Sequence, residues 1–162
     1  MPKLSLISLL LQGIPESMAL GAIVLVFARS RTPLKKLLLI GVLQGATAYA
    51  VRLLPISFGI HGIVLIVTLA IYCRFFGGIS VLNALKGAIL AFLCLIVAEM
   101  GFQSLLYKVV HTSLREIFQN PFLMAVSGLP QVVLLSLIAL VKGSLNRRSR
   151  QVDAALSRIE KV

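Results

Sequence analysis

Residues 87–98 read GAILAFLCLIVA, and the apolar run continues past a single carboxylate, Glu99, as far as Tyr107. A helix this greasy on every face belongs at the centre of a large protein or in lipid. Four more stretches of the same character flank it, at about Leu4–Ala28, Leu37–Ile56, the residues up to Tyr72 or Phe76, and Phe122–Val141. Each is about the 20 residues that a helix needs to cross a bilayer. Hydrophobic residues make up 59% of the 162 positions and charged residues 13%, with a mean hydropathy of +1.01. A soluble domain carries roughly a quarter charged residues, spread over its helix faces. The fold class that follows is all-α, a polytopic integral membrane bundle of about five transmembrane helices.

Between the runs lie short basic clusters. The formal charge is +11, from 16 Lys+Arg against 5 Asp+Glu. No nucleic-acid motif or aromatic-interleaved basic stripe accompanies that charge, so it reads as membrane topology. The segments after the first, third and fifth runs hold 12 of the 16 cations, leaving Lys3, Arg52, Lys108 and Arg115 for the other side. Cytoplasmic loops carry the excess of Lys and Arg. The expectation is a multi-pass protein of the cell membrane with its N-terminus outside and its C-terminus in the cytoplasm. Lys3 before Leu4–Leu11 resembles the start of a signal peptide, but apolarity resumes beyond Gln12 and Pro15 and favours a retained span.

Two domains are expected: residues 1–143 as the bundle and residues 144–162 as a basic cytoplasmic tail. The tail places Val152, Ala155, Ile159 and Val162 at a/d spacing. That pattern fits either a solvated helix against anionic headgroups, through Arg147, Arg148 and Arg150, or a short coiled-coil stripe. Ser113-Leu114-Arg115-Glu116 fits a capping box, followed by Ile117 and Phe118 on the face of Val110 and Leu114. This predicts a short interfacial helix ended by Asn120-Pro121.

Ionisable groups at membrane depth cost a few kcal/mol each and require a partner or a purpose. Glu16 and Glu99 fall about half-way along the first and fourth spans, with Gln12, Gln44, Gln103 and Gln131 in the same layer and Arg52 nearby on the second. Either these groups satisfy one another and set helix packing, or Glu16, Arg52, Glu99, Gln131, Gln12 and Gln103 bind a ligand or a proton. Gly13-Ile14-Pro15-Glu16 and Gly128-Leu129-Pro130-Gln131 share a Gly-x-Pro-acid/amide pattern. Proline removes a backbone donor and glycine permits close approach, so two helix breaks are expected at one depth, at Gly13 and Pro15 and at Gly128 and Pro130. Gly41 and Gly45 form a small-xxx-small face for close packing, expected within the molecule.

No catalytic motif stands out. H-E-x-x-H, G-x-S-x-G, Walker A and dinucleotide glycine patterns are missing, and the one aspartate, Asp153, lies in the tail. Cys73 and Cys94 form no C-x-x-C pair, and His61 and His111 are far apart in sequence and flank no metal-ligand spacing. The chain is expected to be non-enzymatic, with no metal site and no cofactor.

Gln12-Gly13-Ile14-Pro15-Glu16-Ser17, Tyr49–Pro55, Phe58-Gly59-Ile60-His61 and Gly128–Gln131 together resemble a small membrane region of Gram-positive, clostridial-type bacteria. That region occurs as the N-terminal membrane part of sensor histidine kinases and as a stand-alone protein. The resemblance implies an input or regulatory membrane module. Because the sequence carries no phospho-accepting or ATP-binding region, signalling output would pass to a cytoplasmic or membrane partner protein through the C-terminal tail. The other reading is a small transporter, or the substrate-binding membrane component of one. The bilayer is the expected environment, with no nucleic-acid partner.

Overall fold

A computed structural model describes residues 12–30, 32–54, 58–110 and 121–159. Five helices follow in chain order: α1 (Ile14–Phe27), α2 (Leu34–Leu53), α3 (Phe58–Gly77), α4 (Val81–Val110) and α5 (Pro121–Ile159). There is no strand among the described residues. Among the described residues, four helices contain segments long and apolar enough to cross a membrane: Leu34–Leu53, Gly59–Gly77, Val81–Phe102 and Gly128–Asn146. At 1.5 Å per residue these measure about 28–33 Å, matching a hydrocarbon core of roughly 30 Å. The protein is a multi-pass helical membrane bundle.

α1 stands at the centre. It packs against all four other helices, which surround it in chain order. Its buried residues include Ser17, Ala19, Leu20, Gly21, Ile23, Val24 and Leu25, spread round most of its circumference. Its uniform apolarity therefore serves burial in protein more than exposure to lipid. The outer helices turn large side chains outward instead, among them Ile63 (63% exposed), Val97 (70%) and Leu140 (69%). Among the described residues, α2 and α5 both flank α1 without packing substantially against each other. Helix α1 is 14 residues, or about 21 Å; the expected start of the first span at Leu4 lies outside the described residues.

Small residues let the backbones close on α1. A Cβ on Gly45 would stand 3.3 Å from Ile14 Cγ1 and 3.6 Å from the Gly13 carbonyl oxygen, and one on Gly41 would collide with Met18. The Gly41/Gly45 face thus packs within the molecule, against α1. On α4, Gly87 approaches Val24, where a Cβ would lie 3.2 Å from the Val24 Cα. Ala84, Ala88 and Ala91 continue that buried stripe. Close backbone approach is how helices gain packing where lipid removes the hydrophobic drive.

The end of the bundle that carries the basic loop is laced by hydrogen bonds. Ser30 N–H donates to Leu25 O at 2.9 Å and Arg29 N–H to Val26 O at 3.0 Å, the two bonds of a Schellman cap. Arg29 occupies its left-handed position with φ 53°, where glycine is usual. α3 ends in the expected manner, with Gly78 at φ 65°. The Ser30 hydroxyl donates to Gly77 O at 2.9 Å, and Asn146 Nδ2 reaches from α5 to Val26 O at 2.7 Å.

One expectation changes. α5 runs unbroken for 39 residues with Pro130 inside it, so Gly128 and Pro130 do not break the helix. Membrane helices tolerate an interior proline where surrounding groups can satisfy the freed carbonyl. α5 passes through residues 143 and 144 without interruption and carries the basic segment as far as Ile159. His61 lies in the first turn of α3, which begins at Phe58. The capping box at Ser113–Glu116 and the residues around it lie outside the described residues.

Candidate site at mid-bundle

Glu16 sits in the first turn of α1, just after a π-helical turn at Gln12 and Gly13. The extra residue in that turn re-aims the side chains around it, a local distortion that often accompanies function. Pro15 occupies the start of α1, where its missing N–H costs nothing. At Gly13 and Pro15 the backbone passes from a π turn into the α-helix.

The Glu16 carboxylate accepts from two carboxamides on the same oxygen. Gln12 Nε2 donates to Oε2 at 3.5 Å from one turn earlier, and Gln131 Nε2 donates at 3.4 Å from α5. Both bonds are long, hence weak and readily exchanged. Gln131 is 5% exposed, while Glu16 and Gln12 are half-buried. The Gln12 carboxamide lies over Gly128, where a Cβ would collide with it. The two Gly-x-Pro-acid/amide segments therefore stand side by side.

Depth follows from helix geometry. Eleven residues separate Glu16 from Phe27 on α1, and eleven separate Gln131 from Lys142 on α5; Lys142 Nζ lies 5.4 Å from the Phe27 ring centroid. The two helices thus run parallel and in step. The carboxylate lies about 16 Å from the basic end, near the middle of a 30 Å core.

Arg52 and Glu99 lie near enough to act on Glu16 electrostatically, one attracting and the other repelling its charge. Both are exposed, on the rim of the cluster. Gly87 on α4 meets Val24 on α1. Counting outward from that level puts Glu99 about 6 Å further than Glu16 from the basic end. Arg52 is further still, seven residues beyond Gly45, which meets Gly13 and Ile14. Charges are staggered from mid-bundle toward the end opposite the basic loop. Gln103 lies on α4, and its side chain is outside the described residues. The donor set is one carboxylate with two amides, suited to a proton or to an ammonium or other hydrogen-bond-donating ligand.

Gln44 plays a different part. It is 2% exposed, donates from Nε2 to Leu65 O at 3.0 Å and accepts from the Thr68 hydroxyl at 3.2 Å. This amide joins α2 to α3 and is absorbed by packing. Sequence reasoning put it in the correct layer, but spacing alone does not say which neighbour it faces. Asn146 and Lys142, which tie α5 to the end of α1, carried no signal beyond the basic tail that follows them.

Comparison with known protein families, curated proteins and solved structures finds no match to this chain.

Proposed function

We propose that this chain is a non-enzymatic sensor or accessory module of the cell membrane, whose input is a proton or small ligand engaging Glu16. The observation that carries this reading is the Gln131–Glu16 contact, because Gln131 belongs to a helix continuous from Pro121 to Ile159. A change at Glu16 acts on Gln131, and α5 conveys it as a rigid body over about 42 Å to its far end. Small shear of packed helices is an established mode of signalling across a bundle. The basic extension then meets a cytoplasmic or membrane partner. The charge bias supports a cytoplasmic location for that end, with the staggered Glu99 and Arg52 toward the outside, where a ligand would arrive.

The test places spin labels at Lys35 and Gln151 of the full chain in lipid nanodiscs. Glu16→Gln and Gln131→Ala are expected to shift the distance distribution while membrane insertion stays normal. Identical distributions in wild type and both variants would remove the coupling on which the reading rests. A transporter, the competing function, predicts substrate uptake into proteoliposomes by the purified chain alone, whereas a sensor predicts none.

A further inference from the structure

An open cleft of about 350 Å³ lies between the end of α1 and the first turns of α4, lined by Phe27, Arg29, Asn83, Lys86, Gly87 and Leu90. Its lining is divided by chemistry. Arg29, Lys86 and Asn83 supply two cations and an amide, whereas Phe27, Gly87 and Leu90 form an apolar wall. Phe27 is itself 41% exposed. The level is that at which the apolar spans give way to the basic loop, where phospholipid phosphates lie. The backbone there is costly for its occupant, since Arg29 takes the left-handed cap position that glycine fills without strain.

We propose that this cleft holds the phosphate of an anionic phospholipid. Arg29, Lys86 and Asn83 donate to its oxygens, and the glycerol and the start of an acyl chain lie along Phe27, Gly87 and Leu90. Charge-assisted hydrogen bonds to phosphate from a guanidinium and an ammonium are the strong kind. The apolar wall distinguishes a lipid from a soluble phosphate, which would leave it uncovered. This assignment stands on the cleft alone and does not depend on the function proposed for Glu16.

The test is native mass spectrometry of the full chain in detergent, with phosphatidylglycerol and phosphatidylcholine in competition. Wild type is expected to retain one phosphatidylglycerol preferentially. Arg29→Gly and Lys86→Gln should each weaken retention by about tenfold, while Lys35→Gln, a cation outside the cleft, leaves it unchanged. Arg29→Gly relaxes the cap and should unfold at a higher temperature, which separates lipid loss from misfolding. Arg29→Gln removes the charge without that relief and should lose lipid equally. Equal loss in the Lys35 variant, or none in the cleft variants, would overturn the site. Binding of inorganic phosphate or glycerol 3-phosphate as tight as that of the lipid would overturn the lipid as its occupant.

Discussion

Arg29 and Gly45 illustrate how much a single position decides in this bundle. A left-handed non-glycine residue costs on the order of 1 kcal/mol, and Arg29 carries that cost at φ 53°. Arg29→Gly is therefore expected to raise stability by about 1 kcal/mol, measured as a shift of the thermal unfolding midpoint in detergent. Gly45 offers the opposite lesson. A methyl there meets Ile14 Cγ1 at 3.3 Å and otherwise only ordinary contacts, so Gly45→Ala should be close to neutral, helped by helix propensity. Gly45→Leu should cost about 1–3 kcal/mol, because its longer side chain runs into Ile14 and the Gly13 carbonyl. A cost for Ala as large as for Leu would mean that α1 and α2 approach more closely than described.

At the level of the helices, pairing decides which polar groups are structural. Gln44→Ala should cost roughly 1 kcal/mol, since interhelical hydrogen bonds in membranes average somewhat less than that. Its signature is loosening between α2 and α3, read by hydrogen exchange at Leu65 and Thr68, with no effect at Glu16. α5 makes a sharper geometric prediction. Spin labels at Leu134 and Gln151 should lie about 25 Å apart along the helix axis if it continues unbroken. A tail folded back along the headgroups would give a markedly shorter distance.

For the molecule as a whole, the arrangement of five helices gives α1 its importance. As the helix that touches all others, it presents Glu16 to α5 and receives the charges of Arg52 and Glu99. The Glu16–Gln131 pair should be energetically coupled: a double-mutant cycle of Glu16→Gln and Gln131→Leu is expected to show an interaction of about 0.5–1.5 kcal/mol. Strict additivity would reduce the pair to proximity without communication.

Much of this was legible in the linear chain. Lipid demands internally satisfied backbone and long apolar helices, so composition and run length led directly to a helical bundle and to its spans. The Gly-x-Pro recurrence marked Glu16 and Gln131 before their contact was known, because glycine and proline alter the backbone locally. Other features needed three dimensions. Nothing in the order of residues says that α1 lies at the centre or that Gln44 turns toward α3 while Glu16 meets α5. Nor does it reveal that Pro130 leaves α5 intact, or that Arg29, Asn83 and Lys86 share a cleft. Hydrophobicity sets which segments enter the bilayer; it is nearly indifferent to which face of one greasy helix meets another. That choice is made by packing among small residues and by the few polar side chains that must find one another.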